Sequence, residues 1–211
     1  LDGVAITEEV PDGPIPPVWN ADEQVQNWDS APTDDDVARA AEAFAEAEKP
    51  VVIAGNGIHA AQAYDELERV AETYDAIVVT SYLGKSTIPE THELAGGVIG
   101  SFGHEGANQV VSEADALLVA GCRMNPMDTN WQAPSFIRPD EQTIIHADID
   151  TRNAGWVYPA DVGLIGDASE SLRALADADD EESAGEVNAG GNDWARERAA
   201  EARESFHAPE C

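Results

Sequence analysis

Lysine is nearly absent from this chain. Among 211 residues only Lys49 and Lys85 are lysine, and the remaining basic residues are all arginine. Forty-two Asp and Glu against 11 Lys and Arg leave a formal net charge of -31. So little positive charge argues against a nucleic-acid partner, because a phosphate backbone would be repelled. Cysteine is scarce too: Cys122 and Cys211 make no disulfide framework. No apolar run reaches the roughly 20 residues of a membrane-spanning helix. The opening residues Leu1-Asp2-Gly3 carry neither Met nor a basic, then apolar, secretory signal. The expectation is a cytoplasmic segment from the middle of a longer chain.

The acidity itself has three readings. An acidic tail would concentrate the charge in one block, but here it is spread along most of the chain. A basic partner would need one acidic face, which sequence does not show. A surface adapted to high salt fits the loss of lysine, since molar salt screens self-repulsion over about 3 Å instead of about 10 Å at 0.1 M. The hydrophobic fraction of 43% is ordinary, so a packed core can form.

Residues 1–32 read as a linker, because Pro11, Pro14, Pro16, Pro17 and Pro32 interrupt helix and ladder alike. Thr33 caps a helix whose first turn, Asp34-Asp35-Asp36, suits the positive end of the macrodipole. After Pro50, short apolar runs alternate with amphipathic segments. Strands are predicted at Val51-Val52-Ile53-Ala54, Ile77-Val78-Val79-Thr80, near Val98-Ile99, at 116–120, 143–147 and 162–165, with helices over 59–74 and 105–114. Continuous apolar strands alternating with helices imply a parallel sheet buried on both faces. The expected fold is therefore α/β, doubly wound, with about six parallel strands in a domain spanning 33–176. The stretch 177–211 reads as an acidic flexible linker ending in a charged helix over 194–206.

Ligands of open parallel sheets bind outside the carboxyl ends of the strands. Gly55-Asn56-Gly57 follows the first strand; it is either a tight turn or a close approach to an anion, and it lacks the third glycine of a dinucleotide fingerprint. Ser81, Leu83 and Lys85 follow the second, where a lysine kept in a lysine-poor chain suggests a phosphate or a structural carboxylate as its partner. The next loop is glycine-rich and holds Gly103 and His104, the latter either a ligand contact or a residue leading a helix. Gly121 and Arg123 follow the fourth strand, where an arginine fork suits phosphate or a salt bridge. Asp148 ends the fifth strand and can accept ribose or adenine hydrogen bonds or, equally, cap the next turn. The histidines show no metal-ligand spacing.

The order Pro50-Val51-Val52-Ile53-Ala54-Gly55-Asn56-Gly57, Leu83-Gly84-Lys85, Gly100-Ser101-Phe102-Gly103, Ala116-Leu117-Leu118-Val119-Ala120-Gly121-Cys122-Arg123, His146-Ala147-Asp148 and Gly166-Asp167-Ala168 resembles the central domain of thiamine-diphosphate-dependent enzymes. Within that superfamily it is most similar to the acetolactate synthase large subunit, over about residues 34–176. The resemblance implies a three-domain parent that decarboxylates a 2-oxo acid and joins the fragment to a second substrate. Thiamine diphosphate and magnesium would be held by the first and third domains, so this segment would carry no catalytic residue and no metal of its own. It implies FAD or ADP in the central domain, touching Gly55, Asn56, Gly57, Ser81, Leu83, Gly103, His104, Gly121, Arg123, Asp148, Asp167 and Ala168. The family's usual Arg-Phe-Asp-Asp-Arg is here Arg123-Met124-Asn125-Pro126-Met127-Asp128, without the second arginine. The implied partners are the flanking domains and further copies in a homo-oligomer. A free-standing nucleotide-binding regulatory module, and a structural spacer whose cofactor site has decayed, remain as alternatives.

Overall fold

The computed structural model describes residues 20, 30–182 and 193–204. Its frame is a six-stranded sheet in the order β3-β2-β1-β4-β5-β6, parallel at every pairing. The strands are β1 (Pro50–Ala54), β2 (Ile77–Thr80), β3 (Ala95–Val98), β4 (Ala116–Ala120), β5 (Thr143–Asp148) and β6 (Val162–Ile165). The expected doubly wound α/β class is the one observed. In β1, β2 and β4 every residue is buried, which is why these runs are apolar throughout. Each fully buried Val, Leu or Ile side chain contributes about 1.5–3 kcal/mol.

The helices are α1 (Asp34–Ala45), α2 (Asn56–Ala61), α3 (Tyr64–Thr73), α4 (Glu105–Glu113), α5 (Ala168–Glu182) and α6 (Asp193–Glu204). Thr33 caps α1 as predicted: the Asp36 N–H donates to Thr33 Oγ1 at 3.2 Å, and the hydroxyl donates to Asp36 Oδ2 at 2.7 Å. Val37, Ala40, Ala41 and Phe44 form its buried face.

The third strand, expected near Val98-Ile99, lies earlier, at Ala95–Val98, and three larger features also differ from the sequence reading. The single helix predicted over 59–74 is two helices, parted where Gln62 takes a left-handed φ of 54°. Apolar periodicity runs through this break because Ile58, Ala63 and Leu67 are all fully buried, so pattern alone does not mark it. Next, α5 continues to Glu182, past the boundary at 176 and into the stretch read as linker. Its acidic turns are helped by an Arg69–Asp177 ion pair at 2.6 Å. The loop expected over 183–192 and most of the linker expected over 1–32 lie outside the described residues.

Finally, α6 is docked on the domain, against β3 and α4. Its inward face is Ala195, Ala199 and Ala202, all fully buried, a stripe too small to stand out as hydrophobic in sequence. Arg203 Nη1 donates to the carbonyls of His92, Glu93 and Ala95 at 2.9, 2.9 and 3.0 Å, while Arg196 pairs with Asp75 at 2.7 Å. No helix among the described residues is long and apolar enough to cross a membrane.

Candidate ligand-binding site

The chain runs outward through β1, β2 and β3, then returns to place β4 on the other side of β1. The loops after β1 and β4 therefore diverge at a topological switch point, where such sheets bind ligands. A cleft of about 440 Å³ opens there. Its floor is backbone against backbone: Gly57 N–H donates to the Gly121 carbonyl at 2.9 Å, and Gly55 N–H to that of Ala120 at 2.9 Å. Gly121 has a φ of 58°, and a Cβ on it would lie 2.6 Å from the Gly57 Cα. These glycines are needed for the two loops to meet.

Of the predicted site residues, Asn56, Gly57, Leu83, Gly121, Arg123, Asp148, Asp167 and Ala168 line this cleft. Gly55 supports it from below. Ser81 is buried and structural: its Oγ accepts the Gly84 N–H at 3.1 Å, capping the short turn Tyr82–Gly84. Gly103 packs on the backbone of Val98 and Ile99. Lys85 and His104 line a different pocket beside β2 and β3, and Lys85 is ion-paired with Glu90.

Arg123 is exposed at the cleft and makes no hydrogen bond or ion pair among the described residues. Every other Lys and Arg side chain has a hydrogen bond, ion pair or ring contact. Asp148, 7% exposed, accepts the Asp150 N–H at 2.8 Å and the Asn153 amide at 3.1 Å through Oδ1. Its Oδ2 has no hydrogen bond among the described residues. Asp167 likewise uses only Oδ1, accepting from the Ser169 N–H and hydroxyl, both at 2.9 Å. The cleft thus offers one guanidinium fork for an anion and two carboxylate oxygens for hydroxyl or amine donors. Leu83 and Ile149 add exposed apolar walls.

Sequence reasoning missed Asn125, Asp128, Ile149 and Asn153, which also line the cleft. Asn125 organises the loop after Arg123: its Oδ1 accepts the N–H of Met127 at 2.9 Å and of Asp128 at 3.2 Å, and its Nδ2 donates to Asp128. Asp128 is buried and accepts the Tyr82 N–H at 3.3 Å. Burial raises its pKa, opposed by that N–H and by the nearby Arg123. An Asn three residues before an Asp is the available signal, legible only as a local turn.

Cys122 and His146 lie beneath the cleft. Burial pushes the Cys122 thiol up to about 12, so it stays protonated and packs as a small apolar group. His146 Nε2 donates to the Cys122 carbonyl at 3.0 Å, and Nδ1 accepts the Gly155 N–H at 3.4 Å, a pairing suited to neutral imidazole. Burial lowers the His146 pKa, and burial followed by Lys85 lowers that of His104. An unfolded histidine binds its proton near 6.5, whereas these folded ones bind it only at lower pH. Stability is therefore fully present above about pH 6.5 and declines as pH falls below it. The melting temperature is expected to drop between about pH 8 and about pH 5.5, with a shallower slope in His146→Gln. An unchanged slope would remove His146 from this account.

One cluster outside the cleft also escaped sequence reasoning. Glu68 and Glu72, one turn apart on α3, converge on His92 Nε2 at 3.6 and 3.8 Å. His92 Nδ1 accepts the Leu94 N–H at 3.2 Å, which leaves the ring proton on Nε2, facing the carboxylates. That arrangement brings α3 and the loop before β3 together through contacts at ion-pair distance.

The fold and cleft define a doubly wound domain with a candidate ligand cleft at its switch point. Residues 37–175 match the family described as thiamine pyrophosphate enzyme, central domain. The chain belongs to this family. It is 39% identical over 142 residues to a probable acetolactate synthase large subunit of Methanocaldococcus jannaschii, covering 66% of this chain and 23% of that protein. It is 33% identical over 168 residues to the sulfoacetaldehyde acetyltransferase of Castellaniella defragrans, covering 75% of this chain and 28% of that protein. Against the acetolactate synthase isozyme 3 large subunit of Escherichia coli K12 the identity is 29% over 176 residues, covering 82% of this chain and 30% of that protein. The chain thus spans about a quarter of the length of these relatives.

Proposed function

We propose that this chain is the nucleotide-holding central domain of a thiamine-diphosphate-dependent enzyme of the acetolactate synthase type. The full protein would decarboxylate a 2-oxo acid and transfer the resulting fragment, using thiamine diphosphate and magnesium held outside this domain. Flanking domains and further copies of the chain are its proposed partners, and the cytoplasm its proposed compartment. The domain's own role is to bind FAD or ADP in the cleft at the switch point. One observation carries this reading: the arginine without a partner among the described residues, in a chain of net charge -31, stands at the mouth of that cleft. Arg123 would take the diphosphate through its planar fork. Asp148 and Asp167 would accept hydroxyls or an amine, and Leu83 and Ile149 would flank the base. The residues present therefore fit a nucleotide diphosphate. FAD would occupy the cleft in a positioning role, its redox chemistry supplied by its own ring.

The test is calorimetric titration of FAD and, separately, ADP into the 211-residue chain at molar KCl. Saturable FAD binding supports an acetolactate-synthase-like parent, and ADP binding alone points to a relative that uses a mononucleotide. Binding of neither favours the spacer reading, for which the departure at Met124-Asn125-Pro126-Met127 speaks.

The acidic surface is proposed to be an adaptation to high salt. With 42 acidic and 11 basic residues, self-repulsion falls as the screening length shrinks. The melting temperature is expected to rise by at least about 10 °C between 0.2 M and 2 M KCl. A melting temperature insensitive to salt would refute this.

A further inference from the structure

A second pocket, of about 310 Å³, lies beside β2 and β3, away from the cleft just described. By volume it has room for about ten water molecules. Its apolar side is formed by Val78 of β2, Ala95 of β3 and Ile88 of the loop between them. Its polar side is donor-rich: Lys85, His104 and Arg203 come to it from three separate elements. Thr80, buried at 5% exposure, adds a hydroxyl. Glu90, the one carboxylate there among the described residues, is already paired with Lys85. In a chain with 42 acidic residues, a pocket with the cations Lys85 and Arg203 against the one carboxylate of Glu90 reverses the general charge balance.

Arg203 is the informative member. Its Nη1 is saturated by the carbonyls of His92, Glu93 and Ala95. Its Nε and Nη2 make no hydrogen bond among the described residues. A half-buried guanidinium with one nitrogen pinned by backbone is held rigid, and its other donors remain available to an anion. His104 Nδ1 accepts the Val98 N–H at 3.3 Å, which fixes the ring at the rim of the pocket.

We propose that this pocket binds a small aliphatic carboxylate, its head on Arg203 and Lys85 and its hydrocarbon body against Val78, Ile88 and Ala95. The site is separate from the nucleotide cleft and does not depend on it. The aliphatic body supplies area removed from water, and the fixed guanidinium supplies the bidentate match to a carboxylate. Because α6 contributes Arg203 and β3 contributes the floor, occupancy also ties α6 to the sheet edge.

The experiment is amide-resolved NMR titration of the 211-residue chain with 4-methylpentanoate, and with neutral 4-methylpentanamide as its isostere, at one fixed KCl concentration. The expected result is saturable shifts at Thr80, Ala95, Val98 and His104 with the carboxylate, and at least tenfold weaker binding of the amide. Lys85→Gln, at an exposed ion pair, should weaken the carboxylate severalfold and leave the amide unchanged. Arg203→Lys keeps a cation for the backbone carbonyls but removes the remaining fork. It should weaken the carboxylate at least fivefold while the α6 amides keep their native positions. Equal binding of acid and amide, shifts confined to Gly57, Gly121 and Asp148, or no saturable shift at all would each overturn the proposal.

Discussion

Replacing Arg123 by Ala is expected to weaken FAD binding by roughly ten- to a hundredfold, with almost no change in stability. The two halves of this expectation have one cause. Arg123 makes no hydrogen bond or ion pair among the described residues and acts on the buried Asp128 only through space, so its removal leaves no hydrogen-bonding group unsatisfied. An exposed substitution of that kind changes folding free energy by within about 0.5 kcal/mol. A charge-assisted pair with a diphosphate is worth about 1.5–3 kcal/mol, which converts to the stated loss of affinity. Arg123→Lys should fall between, because an ammonium keeps the charge and loses the fork. Calorimetry and thermal melting on the same samples read both halves. Undiminished FAD affinity in Arg123→Ala would remove the observation on which the proposed function stands. A large fall in melting temperature would show instead that the guanidinium is structural.

Gly55→Ala should be strongly destabilising. A Cβ at this position would lie 2.3 Å from the Gly121 carbonyl oxygen and 2.6 Å from the Cys122 Cα. Neither atom belongs to a flexible side chain, and both follow β4, which pairs with β1 and β5 at the middle of the sheet. Relief would need the two central strands to separate at their carboxyl ends, so a loss of about 3 kcal/mol or more is expected. Gly155→Ala is the comparison. Gly155 has a φ of 74°, but a Cβ there would come no nearer than 3.8 Å to other atoms. Its cost is the left-handed backbone alone, about 1–2 kcal/mol. Chemical denaturation of both variants in the same salt separates overlap from backbone strain. Equal destabilisation would mean that the loops after β1 and β4 do not meet as described. Any FAD site should fail in Gly55→Ala together with the fold, whereas in Arg123→Ala it fails alone.

Much of this architecture was legible beforehand because its cause is local. Val51-Val52-Ile53-Ala54 and Ala116-Leu117-Leu118-Val119-Ala120 are apolar at every position, and only a strand buried on both faces requires that. Thr33 before three aspartates announces a helix start through its own hydroxyl and the macrodipole. The cleft was half legible. Gly57, Gly121, Arg123, Asp148 and Asp167 each follow or end a strand, so the rule for parallel sheets finds them. Asn125 and Asp128 were not found, because their importance lies in folding a loop back over the cleft. Lys85 and His104 follow strands too, yet they turn away toward the second pocket. Position after a strand specifies the edge of the sheet, not the direction in which a side chain leaves it.

The sequence by itself determined the class of fold, the strands, the first helix cap, the acidic surface and the family, since each is written in periodicity, composition or the order of short motifs. Tertiary structure alone decided the break at Gln62, the length of α5 and the docking of α6 by an alanine stripe and by Arg196, Arg203 and Arg198, the last paired with Glu113 of α4. It also decided that Arg123 makes no hydrogen bond or ion pair among the described residues while Lys85 pairs with Glu90. These depend on which distant surfaces meet. A buried alanine looks like any other alanine in sequence, and an arginine's pairing is settled by carboxylates tens of residues away that only the folded chain brings near.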